Sequence, residues 1–403
     1  MDDVFIYDHA RSPRGRGKPS GGLHEITSVS LITQVLTALR ERNRLAPDAI
    51  DDVALGVVSP GDEAGATTVR MAPIAAGFAD SVGGLHLNRA CASAMEAVVI
   101  EAAKIRAGWA DAAIGGGYES MSRVPPGTGG GGAWGVDPRL TADHPFMMQG
   151  VAADLLATLR GIGRADLDAY SLASQERAAK AQAGGFFDDA LVPITDILGT
   201  VVLDRDEHPR PGTTLEGLAA LPAAFEFEGR KLGFDDVAIQ RFPQLSEIHH
   251  VHTAGSSSGV VDGAAGVLIG NREFGERTGL RPRAVIKSSV SLASDPLLFL
   301  DAPPETCRRA LKRAGLGVSD VDLWELNEAF AVVPLVLMNE LGVEHDRLNV
   351  NGGAIALGHP LGASGAMILG ILLDELERRD LATGVASLCA AGGMGIATVI
   401  ERV

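Results

Sequence analysis

His86-Leu87-Asn88-Arg89-Ala90-Cys91-Ala92-Ser93-Ala94-Met95 is the stretch on which the reading of this chain turns. An apolar, extended approach ends at a single cysteine, and small residues then open a helical run to about Ala107. A thiol there stands at a helix N-terminus, where unpaired backbone N–H groups and the macrodipole favour an anion. The expectation is a lowered thiol pKa and a nucleophile available near neutral pH. The plainer alternative, a buried cysteine packing as a small hydrophobe, is the commoner fate of a lone cysteine. Two distant stretches reverse that balance. Gly358-His359-Pro360-Leu361-Gly362-Ala363-Ser364-Gly365 brings a candidate base, and Cys389-Ala390-Ala391-Gly392-Gly393-Met394-Gly395 brings a second thiol in a glycine-rich turn.

Working outward, strands and helices alternate. Strands are expected at Val4–Tyr7, Val53–Val58 and Ala112–Gly115, with Gly84–Leu87 extended, and helices at Ile26–Asn43 and Thr67–Gly77. This order signals βαβ units and a largely parallel sheet. It breaks at Pro125. The glycine run in Pro126–Gly135 reads as a loop that holds neither strand nor helix, Phe146–Ala183 as mostly helical, and 185–250 as irregular. Residues 124–250 therefore read as an insertion. Alternation then resumes: Ser257–Leu268 as a helix entering a strand, Arg283–Val290 as a strand, and Pro303–Ala314 as a helix in which Cys307 packs. Val321–Leu326 follows as a strand, Asn327–Ala331 as the opening of a helix to Leu341, Ser364–Arg378 as a helix, and Val385–Cys389 and Ile396–Arg402 as closing strands. The two flanking parts carry similar element orders, which suggests a duplicated α/β unit.

Composition narrows the function. The 403 residues are 46% hydrophobic and only 4% aromatic, with 50 glycines, as in an α/β protein built on tight turns. A net charge of −16 argues against nucleic acid or an anionic membrane as partner. Any anionic substrate must be met by a local basic patch. Three widely spaced cysteines make neither a metal pattern nor a disulfide framework. The acidic start lacks a signal-peptide pattern, and the apolar runs Ala331–Met338 and Ala366–Leu373 are too short to span a bilayer. The cytoplasm is the expected location.

Some motifs mislead. Gly255-Ser256-Ser257-Ser258-Gly259 fits the hydrolase elbow GxSxG but lacks a convincing buried strand before it. His249, His250 and His252 have no carboxylate or cysteine at a familiar metal-binding spacing, so no metal site is expected. Gly127–Gly132 lacks the Lys-Ser/Thr of a phosphate loop. His359 in its glycine loop reads as an accessible base, and Cys389, beside the glycines that let backbone approach a ligand closely, as an acid/base thiol. Asn327 alone reads equally well as an N-cap.

In order and spacing, Ala10–Pro13, Asn88–Ser93, Gly116–Ser122, Asn327–Ala331, Asn351–Pro360 and Cys389–Gly395 together resemble the thiolases over essentially the whole chain. The resemblance implies two duplicated βαβαβαββ halves in a layered αβαβα core with an inserted loop domain. The N-terminal half would be 1–123, a CoA-binding loop domain 124–250, and 251–403 the remainder of the first half (to about 273) plus the C-terminal half. It implies an acyl-CoA C-acetyltransferase that cleaves 3-ketoacyl-CoA with CoA, or condenses two acetyl-CoA, through an acyl-enzyme. Cys91 would be the nucleophile, His359 its base, Cys389 the acid/base at the α-carbon, and Asn327 the holder of an oxyanion-hole water. Amides at Cys91 and near Ala391 would form a second hole. Arg210 and Ser258 would contact coenzyme A, and Met148 would line the acyl and pantetheine end. Coenzyme A and acetyl-CoA would be substrates, with no cofactor permanently bound, and the chain would form a homodimer or homotetramer. A fatty-acid, β-oxidation-type role follows from the same likeness. Two departures stand out: Ser256 where an asparagine is usual, and Met148-Gln149-Gly150 where His-Met-Gly is common. A ketoacyl synthase-type condensing enzyme would carry a second histidine in place of Cys389. A thiolase-like acyl-CoA or lipid binder without turnover would have no need of both thiols, His359 and Asn327.

Overall fold

The computed structural model describes residues 3–65, 67–128 and 132–403. Its strands in chain order are β1 (Phe5–Arg11), β2 (Gly15–Arg16), β3 (Asp52–Gly56), β4 (Leu85–Leu87) and β5 (Ala112–Glu119). A small separate hairpin of β6 (Ile194–Thr195) and β7 (Val201–Leu203) follows. Then come β8 (Val261–Gly270), β9 (Ala284–Ala293), β10 (Leu323–Leu326), β11 (Thr383–Ala390) and β12 (Met394–Arg402). The main sheet runs β10-β11-β12-β9-β1-β8-β5-β3-β4, with β2 beside β8.

From the central antiparallel β1–β9 pair the two arms repeat each other. β8 and β12 come next, antiparallel, then β5 and β11, again antiparallel, then β3 and β10, parallel. β4 adds in parallel to β3, and a parallel bridge from Trp324 to Leu348 stands at the matching place beside β10. The duplication is therefore a feature of topology. The expected parallel sheet is corrected: the long pairs are antiparallel. β11 returns into β12 through a tight glycine turn, which only an antiparallel pair allows. The direction of β8 is set by pairing with β1 and β5, across an insertion that hides it from the sequence.

Helices Ser93–Arg106 and Ser364–Arg378 pack on each other and touch strands of both arms, while Ser28–Arg42 and Pro303–Ala314 cover the outer faces. The result is the αβαβα layering. Twelve of the fifteen residues of Ser364–Arg378 are buried, which only a helix in the middle layer permits. Fully burying a side chain such as Leu369 or Met95 contributes about 2 kcal/mol.

Between β5 and β8 the described residues add no strand to the main sheet. Several readings are corrected here. A helix, Gly132–Val136, stands within the expected glycine loop, whose residues 129–131 lie outside the described set. The 185–250 stretch holds the β6–β7 hairpin and helices Leu215–Ala219, Glu226–Leu232 and Phe234–Arg241. No helix begins at Ser257. There Ser258 N–H bonds Ala329 O, Gly259 N–H bonds Ala354 O, and Ser256 O accepts from Ala331, so the backbone pairs across the fold instead of along a helix. Among the described residues, no helix is long and apolar enough to cross a membrane.

Candidate active site

The turn after β4 is built by its own side chains. Asn88 Oδ1 accepts the Ala90 N–H at 2.9 Å, while Ser93 Oγ accepts from Arg89 N–H at 2.9 Å and donates to Ala90 O at 2.6 Å. Ala90 is thereby held at φ +49°, a left-handed conformation that costs an L-residue about 1–2 kcal/mol. Cys91 emerges buried, two residues before the helix Ser93–Arg106.

The N-termini of the two central helices meet at this point. A Cβ on Gly365 would stand 2.4 Å from Met95 N, so only glycine permits the approach. Cys389 stands one residue before the end of β11, opposite Gly395, buried, and near enough to Cys91 that Cys91 opposes its ionisation. Past it the chain turns through Gly392 (φ +77°) and Gly393 (φ +79°). Gly393 O is pinned by Ser294 N–H at 2.8 Å. This turn aims the Ala391 N–H at the Cys91 sulfur, alongside the amide of Cys91 itself.

His359 is buried, and its N–H bonds Gly259 O at 2.9 Å. Its ring is oriented by Ser364, whose Oγ lies 2.5 Å from Nδ1. The single Ser364 hydroxyl proton goes to Pro360 O at 2.9 Å, so Oγ accepts and Nδ1 carries the hydrogen. Nε2 is therefore the bare nitrogen. Asn327 Nδ2 lies 3.3 Å from it and donates. Asn327 itself does not open a helix. Its N–H bonds Ser387 O at the end of β10, and the helix starts only at Val332.

The electrostatics overturn one expectation. Burial pushes the Cys91 thiol up to about 12, and the nearby Glu119 carboxylate adds to the rise. The thiol's own amide and that of Ala391 pull the other way without prevailing. Desolvation thus outweighs the partial charge of a helix end, and the charged side chain acting on the thiol is an anion. Burial, aided by Arg14, lowers His359 to about 3. Cys389 is raised by burial and then by Cys91. At rest the imidazole and both thiols are neutral. Proton transfer must accompany attack.

Sequence reasoning did not single out Ser364, Glu119 or Glu328. Ser364 fixes the tautomer, and a hydroxyl five residues after a histidine at a helix start was its available signal. Buried Glu119 accepts the N–H groups of Val58, Ser59 and Gly362, tying β5 to the His359 loop. Glu328 accepts from Tyr170, Ser174, Asn349 and Ile355, tying the helix Arg164–Ala183 to the segment after β10. For both, the available signal was an acid at the end of an apolar strand run.

The remaining candidates spread outward from this centre. Ser258 is half-buried and adjoins Gly259, the residue that accepts the His359 N–H. Arg210 is exposed at a cleft of about 250 Å³ that also meets His208, Thr213, Ala254 and Gly255. Met148 caps the helix Gln149–Arg160 and packs on the core cluster that contains Cys389 and Phe330. The Phe225 ring lies on Gly150 and meets Phe330 edge-on at 5.7 Å. Of the three histidines, His249 is exposed, while His250 Nδ1 and His252 Nδ1 bond the buried Asp154 at 2.9 and 2.7 Å. His250 Nε2 also reaches Asp235 at 3.0 Å. Asp154 further accepts the N–H groups of Val251 and His252, pinning the Met148 helix to the chain leading to Ser258. Asp154→Ala should therefore cost about 3–5 kcal/mol, because it strands buried partners. Urea unfolding measures it, and a loss under about 1 kcal/mol would contradict this bracing role.

Comparison with known proteins identifies the family of the chain. The models of the thiolase N-terminal and C-terminal domains match residues 4–231 and 280–402. The chain is 38% identical over 400 residues to an acetyl-CoA acetyltransferase of Chromobacterium violaceum, covering 96% of each. It is also 38% identical over 421 residues to a β-ketoadipyl-CoA thiolase of Pseudomonas aeruginosa, covering 100% of this chain and 99% of that one. The crystal structure of the Bacillus anthracis acetyl-CoA acetyltransferase superposes with a TM-score of 0.87 at 34% identity, over 100% of this chain and 99% of the other. The chain belongs to the thiolase family and is an acyltransferase of that family.

Proposed function

We propose that this protein cleaves 3-ketoacyl-CoA with CoA, and runs the reverse condensation, through an acyl group carried on Cys91. The observation that supports this most is that two neighbouring buried thiols lie where the two central helices meet, the second helix being entered from the loop of a histidine whose Nε2 is bare and faced by Asn327. As the Cys91 sulfur attacks the 3-keto carbon, its proton passes to His359 Nε2. The C2–C3 bond then breaks, its electron pair becomes the enolate of acetyl-CoA, and the Cys389 S–H protonates C2. CoA thiol next attacks the Cys91 thioester, giving its proton to the Cys389 thiolate; the acyl–sulfur bond to Cys91 breaks, the Cys91 sulfur takes back the proton held on His359 Nε2, and the shortened acyl-CoA leaves. His359 and a water held by Asn327 would stabilise one oxyanion, and the amides of Cys91 and Ala391 the other, each donor worth about 3 kcal/mol.

Residues 124–250 serve in this reading as the domain that binds CoA, with Arg210 toward the nucleotide and Ser258 at the pantetheine amide. Cleavage of acetoacetyl-CoA in the presence of CoA, followed as loss of enolate absorbance, tests the reading. An idle binder would show no turnover, and a decarboxylating synthase would need a malonyl donor.

Substrate length follows from the wall near Met148. Met148, Phe225 and Phe330 are apolar, and methionine repacks readily around a chain. Each further buried methylene is worth about 0.8 kcal/mol, about fourfold in affinity. The enzyme is therefore expected to thiolyse longer 3-ketoacyl-CoAs at least as efficiently as acetoacetyl-CoA. Measuring kcat/KM from about four to about twelve acyl carbons decides it, and a steep fall beyond the shortest substrate would sink the idea.

A further inference from the structure

A small cavity of about 10 Å³ is bordered by Arg14, Glu325, Asn327, Gly358 and Ser364, so it lies against both ends of the His359 loop. Its polar groups are conspicuously unsatisfied. Arg14 Nε and Nη1 are buried with no partner, and so is Glu325 Oε1. The acid nearest Arg14 is already committed: Asp206 takes both forks of Arg11 at 2.8 Å and the Arg14 backbone N–H at 2.8 Å. Arg14 Nη1 stays 3.9 Å from it. Buried guanidinium and carboxyl atoms that make no hydrogen bond cost far more than exposed ones unless something joins them. A cavity of this size takes about one water, which needs two to four polar partners. Two orphaned donors, an orphaned acceptor and the Ser364 hydroxyl supply them.

We propose that Arg14 and Glu325 are a positioning pair for His359, joined through one water in this cavity that also meets Ser364 Oγ. Ser364 passes the restraint to Nδ1, and the fixed charge of Arg14 keeps the ring a neutral base. This rests on the reading of His359 as the base. The other ionisable group tied to this loop is Glu119, which holds Gly362 and also acts on the Cys91 thiol. Of the charged side chains, Arg14 acts directly on the imidazole, and with the same sign as burial. Removing its charge therefore makes the imidazolium easier to form, and the base is lost at higher pH.

Two measurements on the full-length enzyme test this. A high-resolution crystal structure of the unaltered protein should show one water within hydrogen-bond distance of Arg14 and Glu325, and an empty cavity would overturn the bridge. Histidine ring-carbon NMR, with His359 assigned through His359→Asn, should show about tenfold more imidazolium at acid pH in Arg14→Met than in the unaltered protein. Arg14→Lys should restore most of the difference. The acid limb of kcat/KM should move up by about one pH unit in Arg14→Met, with a smaller change on the plateau. A folded Arg14→Met whose His359 titration is unmoved, or a loss equal at every pH in both variants, would reduce Arg14 to a packing role. If Arg14→Met does not fold, the crystal structure still decides whether the bridge exists. A His359→Asn enzyme that still thiolyses would sink the base reading alone, since the titration reports on the ring whatever its role.

Discussion

Cys91→Ala should lower both thiolysis and condensation by about 10⁴-fold or more, while leaving the fold intact. The effect is large because Cys91 alone combines a thiol with a turn held open by Asn88 and Ser93, and alone receives the amide of Ala391. An alanine there loses one buried sulfur from a packed layer, which is a modest change in stability and a total change in chemistry. Brief incubation of the unaltered protein with acyl-CoA, followed by mass spectrometry, should place the adduct on Cys91. An adduct on Cys389 or Ser257 would sink the assignment.

Cys389→Ala should separate the two half-reactions. Overall turnover should fall by about 10²–10⁴-fold, the usual contribution of a positioned acid or base, while acylation of Cys91 from an acyl-CoA persists. The reason is chemical: acyl transfer onto Cys91 moves no proton at the α-carbon, and the departing CoA sulfur, which Cys389 would otherwise protonate, can leave as a thiolate, so acylation is slowed less than turnover. The two rates are read by quenched-flow acylation and by steady-state thiolysis. An equal loss of both would mean that Cys389 supports the turn, or that the two thiols have exchanged roles.

Neither thiol rests as an anion in this geometry, and that bears on how both variants are measured. A thiol at about 12 and an imidazole at about 3 make no resting ion pair near neutral pH. The proton moves during attack, so the acylation rate should depend on His359 as strongly as on the sulfur.

Much of this was present in local sequence. Helix Ser364–Arg378 and helix Pro303–Ala314 lie where their apolar spacing puts them, because a helix period is written within a few turns of chain. The three polar motifs around Cys91, His359 and Cys389 could be picked out by their small neighbours, since close approach of backbone demands residues such as Gly365 whatever the fold. Strand direction could not. The order β10-β11-β12-β9-β1-β8-β5-β3-β4 depends on which distant strands share hydrogen bonds, and nothing local encodes that β8 returns antiparallel after a long insertion. Nor could charge state. A helix N-terminus is legible in sequence and argues for a thiolate, but burial among two helices and two half-sheets exists only after folding, and it reverses the sign. The same holds for His359, whose tautomer is set by Ser364 and whose neutrality is set by burial and by Arg14, a residue from the other end of the chain. Local spacing determined which residues carry the chemistry; tertiary packing decided their protonation, because desolvation and long-range charge are properties of the assembled interior.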